Sequence, residues 1–318
     1  MKLLGVEMFV LIAVKVYHNS GYYAIGHFIY MRLHTKAKRL CVIIPRDMKK
    51  GLRVLVLGAH PDDPDVCMAG TAVKYAAAGA KVRFVSLTNG DKGHRSLSCK
   101  DLAARRKGET SAAARALGLE SYVVLDHPDC ELEVTLDTRR EVTRLIRSFA
   151  PHVIFTHRTC DYHADHRACA TLVMDAAYLL GVPHWCPDMP VPDVLPAVFY
   201  MRDRFTVPRE LRPDVVVDVS DVLDKMADGL LCHESQVLEW LPPEHPGAVD
   251  EIPATDAPVD VRRAFIRKYW FDELQGRDVR RFALPYRYAD VFELSEYGRV
   301  PGDGELKELF PEGAVTRT

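Results

Sequence analysis

Between residues 53 and 219, apolar runs of four to six residues alternate with longer stretches in which apolar positions recur at helical spacing. The runs cover 54–57, 82–87, 122–125, 153–156, 197–201 and 215–219. They are short, unbroken and rich in β-branched residues, as expected of strands buried on both faces. Helical patterns fill the gaps at 65–78, 102–117, 137–149 and from about 163 to 180, the first two ending at Gly79 and Gly118. Two more follow at 221–240 and 259–274. Strands alternating with helices of this length predict βαβ units, a parallel sheet and right-handed crossovers. The expected fold class is α/β, a single domain with a C-terminal extension. The Pro-rich stretches 181–196 and 241–258 read as surface loops rimming a site, because regular patterns resume after each.

The first 47 residues differ from the rest. An apolar run over 8–14 is bracketed by Glu7 and Lys15 and is too short to span a membrane. Aromatic and then basic residues follow it, so the segment reads either as an interfacial helix touching a membrane or as sequence ahead of a natural start at Met48. The expected division is an N-terminal extension over 1–47 and one domain over 48–318.

Composition narrows the partners. A formal net charge of −2 over 318 residues argues against a nucleic-acid binder. The eight cysteines include no C-x-x-C pair, which favours free thiols and a cytoplasmic location over a disulfide framework or a Cys-zinc site.

Candidate chemistry lies just beyond two predicted strands. After the first comes Gly58-Ala59-His60-Pro61-Asp62-Asp63, and ahead of the Ala-rich helix comes His163-Ala164-Asp165-His166. In open α/β sheets the carboxyl ends of strands are where ligands bind. Two adjacent carboxylates repel unless a cation sits beside them. One His and one Asp from the first cluster, with one His from the second, make three protein ligands and leave a position for water, the arrangement of a catalytic zinc site. Of the two Asp, one would bind metal and the other would serve as general base toward the water. An imidazole beside the metal would stabilise an oxyanion or protonate a leaving amine, and Asp165 would orient a histidine. Asp63, ahead of Pro64, also reads as a plain helix cap. Arg106 and Glu109 read as a helix-face ion pair, Arg95 as a solvated loop residue, and His233 as a core or capping residue. Trp185, Trp240 and Tyr162 are candidates for an aromatic platform under a sugar ring.

These pieces, together with Thr88-Asn89-Gly90-Asp91-Lys92-Gly93, Arg106-Lys107-Gly108-Glu109, Asp161-Tyr162-His163-Ala164-Asp165-His166-Arg167 and His233-Glu234-Ser235-Gln236, resemble the PIG-L/LmbE-like family of zinc-dependent N-deacetylases over roughly 51–240. The resemblance implies a Rossmann-like sheet and removal of an N-acetyl group from an N-acetylglucosamine-type sugar or conjugate. It implies His60, Asp63 and His166 as ligands of zinc (ferrous iron satisfies the same donors), Asp62 as general base, and His163 supported by Asp165 as the oxyanion-stabilising or acid imidazole. It also implies a small amino-sugar as partner and a homo-oligomer. Two positions depart from the family pattern: Pro64 stands where Glu is common, and Ala164 where Pro is common. The competing readings are an amidase of a larger sugar-thiol or natural-product conjugate, and a non-catalytic metal-dependent sugar-binding protein.

Overall fold

The structure, a computed structural model, describes residues 51–311 and 314–316; the expected extension over 1–47 lies outside the described residues. The chain runs β1 (Arg53–Gly58), α1 (Asp63–Ala77), β2 (Lys81–Thr88), α2 (Cys99–Leu117), β3 (Ser121–His127), α3 (Leu136–Phe149), β4 (Val153–Thr156), α4 (Ala164–Leu179) and β5 (Ala197–Tyr200). It continues through β6 (Val215–Asp218), α5 (Leu223–Leu231), α6 (Val259–Ile266), α7 (Gln275–Arg281), β7 (Ala289–Gly298), α8 (Asp303–Leu309) and β8 (Val315–Thr316). One sheet results, in the order β3-β2-β1-β4-β5-β7-β6-β8.

The first five strands pair in parallel, as their continuous apolar runs predict. Alternation along β1 supplies both faces of the sheet. Val54 and Val56 join Phe84, Phe155 and Phe199 in the core under α1 and α5. Leu55 and Leu57 join Val85, Ile154 and Val198 in the core that includes Ile146 of α3 and Leu172 of α4. Both groups are sealed from water, with Val54 through Leu57 at 0% exposure.

The C-terminal half departs from the expected pattern. β7 pairs antiparallel with both β5 and β6, and β8 antiparallel with β6, so the sheet is parallel only on one side. The sequence gives no apolar run for β7, because its buried positions include Asp290, Glu293 and Ser295. Partners from distant segments make that burial affordable: Asp290 accepts from Thr71 N and Oγ1 at 2.9 and 2.8 Å, and Glu293 pairs with Arg209. The expected helix over 221–240 breaks after α5 and resumes as a π-helical turn, Ser235–Trp240. The expected helix over 259–274 becomes α6 followed directly by a second such turn, Arg267–Phe271. The Pro-rich stretch 181–196 holds turns and bends without a helix or strand, and 241–258 holds only short 3-10 turns, Pro242–Glu244 and Val249–Glu251.

This topology fixes where a ligand can sit. From β1 the chain moves outward to β2 and β3; from β4 it moves the other way to β5. The connections diverge between the paired strands β1 and β4, and the crevice beyond their carboxyl ends is the ligand position of doubly wound sheets.

Candidate metal centre and active site

The turn after β1 is tight. A side chain at Gly58 would bring its Cβ within 2.8 Å of both Asp63 Cβ and Pro64 Cδ. Asp63 fastens this turn by accepting the N–H groups of Ala59 at 2.9 Å and His60 at 2.7 Å. It therefore does not cap α1. The capping position is Asp62, whose side chain makes no cap bond and pairs instead with Arg106, Nη2 to Oδ2 at 3.0 Å. The adjacent carboxylates diverge, Asp63 toward the histidines and Asp62 toward α2.

The second cluster opens α4. His163 caps the helix, its Nδ1 accepting the N–H of Asp165 at 3.1 Å. With Nδ1 an acceptor, the proton of a neutral imidazole resides on Nε2. Burial, together with the neighbouring His60 and His166, lowers its pKa and favours that neutral form. Asp165 is sealed from solvent; it accepts from Cys130 N at 2.7 Å and Leu132 N at 3.2 Å and lies 3.3 Å from His60 Nε2. Asp161 accepts from His163 N at 3.0 Å and stands 3.0 Å from His166 Nδ1.

The structure brings His60, Asp63 and His166 together across the β1–β4 crevice. His60 Nδ1 is 3.2 Å from His166 Nε2 and 3.4 Å from Asp63 Oδ2, and His166 Nε2 is 3.4 Å from Asp63 Oδ1. Donors at zinc-ligand distances of about 2.0–2.1 Å in a tetrahedron lie about 3.4 Å apart, and the separations here are of that size, with Asp63 meeting His60 through Oδ2 and His166 through Oδ1. The outer nitrogens of both histidines are matched by carboxylates: His60 Nε2 by Asp129 at 3.1 Å and by Asp165, and His166 Nδ1 by Asp161. Such pairs set the tautomer that points the other nitrogen at a metal. Among the described residues three groups bring their donor atoms close enough to share an ion: His60, His163 and His166; Asp63, His157 and His166; and His60, Asp129, His163 and Asp165.

Protonation follows from the same contacts. Burial opposes charge on His60 and His166, yet Asp63 and the other carboxylates prevail. They hold His60 well above the usual imidazole range and push His166 up to about 9. Against its own burial, Asp63 is held well below the ordinary carboxylate range by His166, His157 and His60. The centre is built for a positive charge among its carboxylates, and a cation supplies the charge that protons otherwise provide.

Several contributors escaped sequence reasoning. His157, at the end of β4, is buried, lies 3.2 Å from Asp63 Oδ2 and stacks on His166 with ring centroids 4.1 Å apart. It gives no motif signal beyond following a strand. Asp129 and Asp161 were legible only as loop acids. Arg106 corrects an expectation: it pairs with Asp62, while Glu109 binds Ser235 through N at 2.9 Å and Oγ at 2.6 Å, and Arg105 at 3.1 Å. His233 is a core residue, sealed from water 3.2 Å from Asp65. Exposed Arg95 lies over the Trp240 ring. The three aromatic candidates separate: Trp185 bonds Thr143 of α3, Trp240 lies against Gly93, and Tyr162 stands over His163 and His166.

Comparison with known proteins agrees with this architecture. Residues 55–177 match the family described as PIG-L, GlcNAc-PI de-N-acetylase. The chain is 30% identical over 203 residues to diacetylchitobiose deacetylase of Thermococcus kodakarensis, covering 61% of this chain and 72% of that one. Its fold is similar to that of N,N'-diacetylchitobiose deacetylase from Pyrococcus horikoshii, with TM-score 0.61, 22% identity and coverage of 80% and 88% of the two chains. It is also similar in fold to GalB, the 4-carboxy-2-hydroxymuconate hydratase of Pseudomonas putida KT2440, with TM-score 0.59, 19% identity and coverage of 79% and 99%. The fold therefore hosts more than one chemistry, and the site must decide. The chain belongs to the PIG-L/LmbE-like family of N-deacetylases, hydrolases of amide carbon–nitrogen bonds. Among the described residues no helix is long and apolar enough to cross a membrane.

Proposed function

We propose that this protein is a zinc-dependent deacetylase that removes the N-acetyl group from an N-acetylglucosamine-type sugar or small conjugate. The observation that carries the reading is the close grouping of His60, Asp63 and His166, with the His163 ring 4.5 Å from that of His60 and Asp62 next in the chain to Asp63. The relative named as a diacetylchitobiose deacetylase supports the substrate class. Bound by these three residues, zinc would polarise the amide carbonyl and lower the pKa of water toward about 7.

The remaining chemistry falls to the chain. Asp62, steadied by Arg106, takes a proton from the attacking water. His163, with its proton fixed on Nε2 by the cap bond at Nδ1, donates to the oxygen that gains charge as water adds to the carbonyl. When the C–N bond breaks, Asp62 returns its proton to the leaving nitrogen. Acetate and a free amino sugar result. Asp165 and Asp129 hold His60 from behind, and Asp161 holds His166. The deacetylase domain is read as 48–318 and the setting as cytoplasmic.

The test is amine release from N-acetylglucosamine, its oligomers and its conjugates by metal-reconstituted protein, run beside Asp62→Ala. Release that needs both metal and Asp62 is the expected result. Metal binding without release across the panel would return the site to a binding role.

A further inference from the structure

We propose that Tyr162 is the platform for the pyranose ring that carries the acylated nitrogen, so that the site selects cyclic amino sugars over acyclic amides. The proposal rests on the deacetylase reading above and names what that site recognises. Tyr162 is 74% exposed, although its ring contacts two buried or half-buried histidines of the site. Its ring meets His163 edge-on, with centroids 5.8 Å apart and planes at 89°. It meets His166 at 5.4 Å and 70°. An uncovered aromatic held beside buried polar groups is what a ligand contact requires and what packing does not.

The ring is not loosely hung. Arg167 Nη1 binds the carbonyls of Asp161 at 2.6 Å and Tyr162 at 3.0 Å, fixing the backbone on both sides of the Tyr162 peptide. Asp161 is itself tied to His163 N and His166 Nδ1. The platform and the donor triangle are thus positioned by the same short loop. Most of the ring is open to solvent.

The geometry limits what can lie there. In an acylated amino sugar one bond separates the nitrogen from the ring. A carbonyl that reaches His60, Asp63 and His166 therefore brings its pyranose beside Tyr162. The C–H face of a pyranose complements the electron-rich aromatic face.

The experiment compares wild type, Tyr162→Ala and Tyr162→Phe, all zinc-loaded. KM is measured for N-acetylglucosamine and for the acyclic N-acetylethanolamine. Binding of the product glucosamine is followed by saturation-transfer NMR, which needs no turnover. Tyr162→Ala is expected to weaken both sugar readouts by roughly three- to tenfold, the size of one aromatic contact, while kcat and the acyclic amide change little. Tyr162→Phe should retain wild-type values. Equal losses for sugar and acyclic amide, an unchanged Tyr162→Ala, or a Tyr162→Phe as weak as Tyr162→Ala would each overturn the proposal. If wild type hydrolyses neither amide yet binds glucosamine through Tyr162, the platform stands and the deacetylase reading falls.

Discussion

Arg106 and Asp62 form a buried ion pair, Nη2 to Oδ2 at 3.0 Å, that ties the middle of α2 to the first turn of α1. Arg106 is 2% exposed, and its Nη1 also reaches the carbonyl of Gly90 at 3.3 Å. The pair removes Asp62 from capping duty and fixes the direction of its carboxylate. Arg106→Lys keeps the charge but loses the second contact. It should lower kcat by roughly ten- to a hundredfold with metal content unchanged, because only the orientation of the base is disturbed. Gly90→Ala, whose Cβ would press on the Arg106 guanidinium, should reproduce the effect from the other side. Full activity in both variants would remove Arg106 from the mechanism.

Asp62 and Asp63 are neighbours in sequence with different surroundings, and substitution should separate them. Asp62→Asn is expected to retain metal and lose roughly 10²- to 10⁴-fold in turnover, the usual contribution of a general base. His60→Ala and Asp63→Ala should lose the metal itself. Metal analysis beside kcat makes the distinction, and equal metal loss in all three variants would contradict the division of labour.

Asp165 touches His60 but lies behind it, at 3.3 Å from Nε2, anchored by the N–H groups of Cys130 and Leu132. Its removal should weaken metal binding by about 10- to 100-fold without abolishing it, as for other supporting carboxylates. Competition with a chelator measures the change. Because Asp165→Ala also leaves two N–H groups unpaired, Asp165→Asn is the companion variant, expected to fall between wild type and alanine.

Asp290 supplies a pH test away from the metal centre. Burial pushes its pKa from 3.8 up to about 6, despite the hydrogen bonds from Thr71 and Gln275. Between those values the folded chain holds a proton that the unfolded chain has released, so stability falls as pH rises through the window. The contribution is fully present below the ordinary pKa and lost above about 6. The penalty at neutral pH is on the order of 3 kcal/mol. Denaturant unfolding from pH 4 to pH 7, each value set by the experiment at roughly the edges of this window, should show a steeper fall for wild type than for Asp290→Asn. Parallel curves would show that Asp290 stays ionised when folded.

The inner strands of the parallel half, β1, β4 and β5, were legible because they are almost wholly buried and correspondingly apolar, unlike edge strand β3. Val54–Leu57 carry that signal alone, and the same logic located the other two. The two clusters of metal-type donors were legible for a related reason: each follows a strand directly, where side chains point into the crevice. β7 was not, since Asp290 and Glu293 look like surface residues until Thr71 and Arg209 arrive from more than eighty residues away to satisfy them. Arg106 was misassigned for the same reason. A helix shows its i, i+3 neighbours in sequence, but not the partner that another helix brings. Asp161 lay inside a motif without a role of its own, His157 and Asp129 lay in none, and only the assembled sheet makes them part of one centre. Sequence determined the elements whose burial is local and two-sided, together with the chemistry at their ends. Tertiary structure decided every pairing of charged groups across elements, because a buried charge is tolerated only where a distant chain segment completes it.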